Sequence, residues 1–210
     1  KQYGPGHDQY RQKRLDQILG NWGQFESVMT QPAGQGATVE FRFRNGSRVD
    51  FEARSVKVDR LLKDVKAYIQ SNPKNLEWEQ INIHDIGYRL VTKDETKYLG
   101  DKTAAWSLDL QPRPSHFDKR ITIATPLQKA GAYLVTARMK DGNTCKIVLW
   151  LDDTVIVKKP LDQGTFFYVA DAVSGAPIAK ANVEFFGYYQ EWIEKSKRYQ
   201  VHTQDTAEFT

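Results

Sequence analysis

A strict alternation of apolar and charged residues between Ala37 and Glu52 is the feature that most constrains the fold of this 210-residue chain. A period of two places successive side chains on opposite faces of a β-strand, so one face must be buried. Asn45-Gly46-Ser47 interrupts the pattern with a turn sequence. The segment therefore predicts a β-hairpin with one solvated face. Its apolar positions are Val39, Phe41, Phe43, Val49 and Phe51.

Similar short patterns bounded by turn residues continue downstream and predict about eight strands between Ala37 and Lys158. One helix interrupts them at Val58–Ile69, where apolar residues recur at helical spacing and Asn72-Pro73 stops the pattern. Strands so numerous and so close together are typical of a sandwich rather than of a βαβ sheet. The predicted fold class is mainly all-β: an immunoglobulin-like or fibronectin-like antiparallel β-sandwich with a helical insertion. The later strands are predicted at 87–91, 97–99, 104–110, 120–124, 132–139, 144–151 and 154–157.

The pattern divides the chain into three parts. Residues 1–36 are predicted to form an N-terminal helix, over Asp8–Leu19, and a linker. Residues 37–158 form the sandwich, with the helix near 58–70. Residues 159–210 begin a second β-domain, which is expected to be incomplete because a sandwich core needs about seven strands. The natural chain is therefore expected to continue, and the strands predicted in this part are 165–170, 181–188, 199–203 and 207–210.

Charge and hydropathy exclude two classes of partner. The chain has 30 Lys and Arg against 26 Asp and Glu, a net charge of +4 spread along its length. A nucleic-acid-binding protein gathers positive charge on one face, whereas the densest basic stretch here is only Tyr10–Arg14. No apolar run approaches the ~20 residues that span a bilayer. We therefore expect no nucleic-acid partner and no direct membrane insertion.

No motif for catalysis, a cofactor or a metal is found. The four histidines are far apart in sequence, and Cys145 lies in an apolar strand, where a buried, unreactive thiol is expected. Acidic residues that could serve as an acid–base pair are interpreted as solvated loop charges. We therefore expect no enzyme, no cofactor and no metal. The histidines are His7, His84, His116 and His202, and the acidic residues are Asp85, Asp94, Glu95, Asp152 and Asp153.

Two further patterns have a structural and a functional interpretation. Asp141-Gly142-Asn143 resembles part of a calcium loop but lacks the remaining oxygen ligands, so a hairpin turn is favoured. A group of aromatic residues could form a ligand platform, although packing in a core or against a neighbouring domain is favoured. That group comprises Phe166, Phe167, Phe185, Phe186, Tyr188, Tyr189 and Trp192.

The segment Tyr168–Phe185 resembles the opening of a macroglobulin-type domain. A strand ends at Asp171, a turn follows with Gly175 and Pro177, and Ala181 begins the next strand. Glycine supplies the permissive backbone of such a turn and proline stiffens its exit. Surface modules of the carboxypeptidase-regulatory and collagen-adhesin type share this pattern.

Upstream segments extend the resemblance to bacterial alpha-2-macroglobulins. Ala130–Arg138 and Ile147–Lys158 resemble the end of the preceding macroglobulin-type domain, while Phe41–Asn45 and Val49–Leu61 resemble its first strands. This resemblance implies a non-catalytic scaffold region of a large protease-trapping protein that is periplasmic, secreted or on the cell surface. Its partners would be further β-domains of the same chain and, through the full-length protein, proteases.

The resemblance does not carry the chemistry of trapping onto this chain. The family's thioester needs Cys-Gly-Glu-Gln, whereas Cys145 is followed by Lys-Ile-Val, so no thioester residue is assigned. No bait region is assigned either. The alternative function is that of an extracellular adhesin or a carbohydrate-binding β-sandwich module.

Overall fold

The computed structural model describes residues 4, 6–83, 86–93 and 95–209. Over these residues the chain is mainly β, as predicted, with twelve strands and three α-helices. The helices are α1 (Tyr10–Leu19), α2 (Val58–Gln70) and α3 (Trp78–Ile81). The strands are β1 (Trp22–Phe25), β2 (Gln31–Pro32), β3 (Thr38–Arg44), β4 (Arg48–Val56), β5 (Leu99–Asp109), β6 (Lys119–Ala124), β7 (Gly131–Met139), β8 (Thr144–Asp152), β9 (Thr154–Leu161), β10 (Gly164–Asp171), β11 (Asn182–Ile193) and β12 (Arg198–Phe209).

Two facing sheets form an immunoglobulin-like sandwich, which confirms the predicted fold class. The first sheet has the strand order β2-β8-β7-β4-β5, and the second has the order β1-β3-β6. The inward side chains of both sheets share one apolar core. The fully buried ring of Phe41 lies at its centre, with centroid distances of 5.4 Å to Phe25 and 5.8 Å to Phe51.

The predicted hairpin between β3 and β4 is wrong. The two strands are consecutive, but β3 pairs with β1 and β6, whereas β4 pairs with β5 and β7 in the opposite sheet. The chain turns sharply at Asn45, whose φ of 62° is left-handed, and crosses the core as an arch. The alternation of apolar residues is the same in both arrangements, because each strand buries one face either way.

The segment predicted as a linker contributes strands to both sheets. β1 pairs with β3, and β2 pairs in parallel with β8. The side chain of Asn143, in the turn between β7 and β8, joins the five-stranded sheet to β1. Its amide donates to the carbonyl of Gly23 and its oxygen accepts from the N–H of Gly23, both at 2.8 Å. Upstream, α1 begins at Tyr10 with Gln9 at its N-cap position, rather than at Asp8 as predicted.

The described residues between 57 and 98 form a helical layer on the outer face of the five-stranded sheet. The predicted helix is present as α2, which buries Leu61, Val65 and Ile69 at successive i, i+4 positions. The strands predicted at 87–91 and 97–99 are wrong: residues 88–92 form a π-helical turn and residues 96–98 a 3-10 turn. Their apolar side chains are buried against the sheet. The apolar residues that predicted strands are therefore explained by this burial, without any strand pairing.

A buried arginine fixes the end of the helical layer. The side chain of Arg89 is 6% exposed, and its guanidinium donates to both carboxylate oxygens of Glu95, at 3.1 and 3.0 Å. It also donates to the hydroxyl of Tyr98 at 3.3 Å, which in turn donates to Asp64 at 3.0 Å. This hydrogen bond from Tyr98 lowers the pKa of the Asp64 carboxyl. The network ties the π-helical turn to α2.

The predicted hairpin of β7 and β8 and the predicted strand at 120–124, now β6, are confirmed. The C-terminal part contains two further hairpins, β9–β10 and β11–β12, each a separate two-stranded sheet. The boundary predicted at Lys158 falls inside β9. The two strands predicted at 199–203 and 207–210 form one strand, β12, as far as Phe209, and Thr210 lies outside the described residues. The division into domains stays a prediction.

The aromatic centre should dominate the stability of the sandwich. Replacing Phe41 by Ala leaves a cavity among Phe25, Phe43 and Phe51, so we expect the free energy of unfolding to fall by about 3–5 kcal/mol. Urea denaturation measures the change. Tyr10→Ala, at a side chain that is 68% exposed, is the control and should change it by less than about 0.5 kcal/mol. Equal effects of both substitutions would contradict the assigned core.

The arginine network should be the second point of sensitivity. Arg89→Ala leaves Glu95 and the Tyr98 hydroxyl without their buried partner, and we expect a loss of about 3 kcal/mol in urea denaturation. Lys102→Ala removes an exposed ion pair with Glu52 and should cost at most about 1 kcal/mol. An Arg89→Ala variant as stable as Lys102→Ala would show that the network does not hold the helical layer.

Candidate interaction surface

The turn after β10 is built around the carboxylate of Asp171. One oxygen accepts hydrogen bonds from the backbone N–H of Val173 at 3.1 Å, and from the N–H and hydroxyl of Ser174, both at 2.7 Å. These bonds lower the pKa of the Asp171 carboxyl, with the N–H of Ser174 the largest cause, followed by its hydroxyl. Gly175 has a φ of 70°, a conformation that glycine adopts without strain.

After this turn, the chain runs back alongside β10. Pro177 forms an isolated β-bridge with Ala170, and the N–H of Ile178 donates to the carbonyl of Val169 at 3.0 Å. Ala181 is half-buried immediately before β11. Asp171, Gly175, Pro177 and Ala181 thus lie in one connection between β10 and β11. A role for these four residues beyond shaping the turn stays a prediction.

The seven aromatic residues considered as a ligand platform do not share one surface. The rings of Phe167 and Phe185 meet at 5.0 Å and join the two hairpins. Phe186 lies on the opposite face of β11 and packs against the helical layer. Alternation likewise places Tyr188 and Trp192 on one face of β11 and Tyr189 on the other. The hairpins therefore offer no single flat aromatic plane.

The β9–β10 hairpin instead carries apolar side chains on both faces. Val155 and Val157 lie on one face with Phe166, which pairs opposite Lys159, and Ile156 lies on the other. Ile156 is 56% exposed and Val157 55%. Grouped apolar exposure of this kind marks a contact site in soluble proteins. We call this set the β9–β10 apolar surface, and it comprises Val155, Ile156, Val157, Leu161 and Phe166.

The residues weighed for chemistry are not brought together. His7 lies beside Asp8, His116 bonds the Asn45 side chain at 2.8 Å, and His202 bonds Glu191 at 3.1 Å. Glu95 is paired with Arg89, while His84, Asp85 and Asp94 lie outside the described residues. In the described part of the chain, no group of His, Cys, Asp and Glu is arranged to hold a metal ion.

Three other residues that the sequence suggested for chemistry lie in β8 or in the turn before it. Burial raises the pKa of Cys145 to about 11, so its thiol is protonated at neutral pH. Burial, and then the charge of Asp153, raises the pKa of Asp152. Asp141 lies in the β7–β8 turn with a φ of 54°, and the Asn143 side chain is engaged with Gly23. A hairpin turn is therefore present where the calcium loop was considered.

None of the helices described is both long and apolar enough to cross a membrane.

Solved structures of bacterial alpha-2-macroglobulin share this fold. Native alpha-2-macroglobulin from Escherichia coli, spanning domains MG0-NIE-MG1, matches with a TM-score of 0.51 and 14% identity, over 91% of this chain and 58% of that one. A structure of its NIE-MG1 domains matches with a TM-score of 0.49 and 14% identity, over 91% of this chain and 88% of that one. The trypsin-activated form matches with a TM-score of 0.48 and 14% identity, over 88% of this chain and 12% of that one.

The chain thus spans 58% of the length of the MG0-NIE-MG1 structure. No protein-family model matches the sequence, and no curated protein matches it. At 14% identity the similarity concerns the fold, and at that level the expected resemblance to bacterial alpha-2-macroglobulin is confirmed.

The Asp171 turn should be sensitive to acid. Because hydrogen bonds lower the folded-state pKa of this carboxyl, their contribution is present above the usual pKa of about 3.9 and is lost as the pH falls through the lowered value. NMR should show the Ser174 amide shift titrating below pH 3.9. Asp171→Asn keeps an acceptor oxygen and should remove that titration. A midpoint at or above 3.9 would contradict the bonded turn.

Proposed function

We propose that this chain is a non-catalytic scaffold region of a large alpha-2-macroglobulin-like protein. The observation that carries the proposal is the β9–β10 apolar surface, on a fold similar to the MG0-NIE-MG1 region of E. coli alpha-2-macroglobulin. A domain that acts alone in water seldom presents so many neighbouring apolar side chains on both faces of one hairpin. Such a surface needs a partner.

Further β-domains of the same polypeptide are the partner that fits. The hairpins β9–β10 and β11–β12 are two-stranded sheets, and such sheets are only marginally stable in water unless more strands or a helix cover them. Their edge strands also offer unpaired backbone groups along their length. Additional strands would satisfy both the apolar faces and these edges. In this proposal residues 159–210 begin a second macroglobulin-type domain.

Trapping of proteases, and a periplasmic, secreted or cell-surface location, are proposed only for the longer protein. The support is the resemblance of Tyr168–Phe185 and its upstream segments to this family, together with the similarity in fold. No described residue is assigned to contact a protease. The alternative, an adhesin or a carbohydrate-binding module, has less support because the aromatic residues are divided between opposite faces of β11.

Hydroxyl-radical footprinting tests the scaffold proposal. The 210-residue chain is compared with the protein expressed from the whole natural coding sequence, and modification of Leu161 and Phe166 is quantified by mass spectrometry. We expect several-fold lower modification of both side chains in the longer protein, because its added strands cover them. Phe41, which is fully buried in the core of the sandwich, is the internal control and should stay unmodified in both.

Two results would overturn the proposal. One is equal modification of Leu161 and Phe166 in the two proteins. The other is a coding sequence that adds no further β-domain.

A further inference from the structure

The helical layer contacts two partners with adjacent sides of α2. One side buries Leu61, Val65 and Ile69 against the five-stranded sheet. The next side presents Lys66 and Gln70, one helical turn apart, to the β11–β12 hairpin. The same helix therefore touches the sandwich and the C-terminal part of the chain.

The contact between α2 and the hairpin is partly apolar. Val201 is 9% exposed and shares an apolar cluster with α2, against which Phe186 also packs. The ammonium of Lys66 lies 5.4 Å from the centre of the Phe186 ring and 3.6 Å from the carboxylate of Asp205. The Gln70 amide donates to the same carboxylate at 3.5 Å. Apolar burial thus lies beside charge pairing, as in a specific interface.

Asn72 supplies a directional hydrogen bond to this contact. It follows the C-terminus of α2 with a φ of 52°, and its N–H donates to the carbonyl of Ile69 at 3.2 Å. Asparagine is one of the few residues other than glycine that adopt this left-handed conformation readily. Its side-chain oxygen accepts the backbone N–H of Val201 at 2.8 Å. One residue therefore ends the helix and occupies a hydrogen-bonding group of the hairpin's edge strand.

Among the residues that the structure describes, no strand pairing attaches the hairpin to the sandwich. In the described part of the chain, β11 and β12 pair only with each other, and residues 172–181, largely turn, connect them to β10. The Phe167–Phe185 contact joins the hairpin to β9–β10, which is itself a separate sheet. The orientation of β11–β12 relative to the sandwich therefore depends on α2 and Asn72.

We propose that the helical layer, residues 57–98, is a bracket that holds the β11–β12 hairpin in one orientation relative to the sandwich, with Asn72 as its positioning residue. The bracket would set the angle at which the β-strands after residue 181 leave the sandwich. The inference does not depend on the proposed scaffold function, since it concerns contacts within the 210 residues.

The first test isolates the Asn72 hydrogen bond. Asn72→Gly keeps a residue that tolerates the left-handed backbone but removes the acceptor, whereas Asn72→Asp keeps an acceptor oxygen. Hydrogen exchange of the Val201 amide, followed by NMR, should be about fivefold faster in Asn72→Gly and close to unchanged in Asn72→Asp. Equal exchange in all three proteins would overturn the role of Asn72.

The second test measures orientation. Spin labels are placed through Asp101→Cys on β5 and Lys195→Cys at the tip of the β11–β12 hairpin, both exposed positions. The native Cys145 thiol, with its pKa of about 11, should stay unlabelled. Double electron–electron resonance should give one narrow distribution of the distance between the two labels, both in this background and in Asn72→Asp. The distribution should broaden in Asn72→Gly/Lys66→Ala.

The folding control is the urea unfolding midpoint of the sandwich, which should be the same in every variant. With that midpoint preserved, a distribution that stays narrow in Asn72→Gly/Lys66→Ala would overturn the bracket. A distribution already broad in the unsubstituted background would also overturn it. Either result would leave the footprinting test of the scaffold function unaffected.

Discussion

Burial of one aromatic cluster between two sheets is the constraint on which the rest of the structure depends. Phe41 is fully enclosed, and its ring meets Phe25 from β1 and Phe51 from β4. Because Phe41 and Phe51 come from consecutive strands in different sheets, the chain must pass from one sheet to the other between β3 and β4. The arch at Asn45 makes that passage.

The five-stranded sheet is covered on its other face as well. There the helical layer supplies apolar side chains from α2. The ion pair of Arg89 and Glu95 lies at the other end of that layer, where the π-helical turn is. A sheet covered on both faces explains why β7 has six consecutive buried residues, from Ala132 to Ala137, instead of an alternation. The five-stranded sheet is therefore the middle layer, between the three-stranded sheet and the helical layer, and α2 remains accessible to the C-terminal hairpin.

The C-terminal part behaves differently because its apolar residues outnumber the strands available to cover them. β9–β10 exposes apolar side chains on both faces, whereas β11–β12 buries Val201 against α2. The scaffold role that we propose rests on this uncovered hairpin, on a fold similar to that of E. coli alpha-2-macroglobulin. The bracket formed by the helical layer would give such a scaffold a defined angle between its parts, through a few directional contacts around Asn72.

The sequence by itself determined the mainly β class, the inward residues of β3 and β4, the β7–β8 hairpin and the helix α2, because period-two and helical patterns are local. Only the tertiary structure decided which strands pair, since an apolar face is equally well buried by a hairpin partner or by a sheet across the core. It also decided that residues 88–92 and 96–98 are helical turns over a sheet and that Asn72 and Asn143 bind distant backbone groups. The sequence does not distinguish an asparagine side chain that faces water from one that bonds a strand more than a hundred residues away. Only long-range packing brings such a partner within hydrogen-bonding distance.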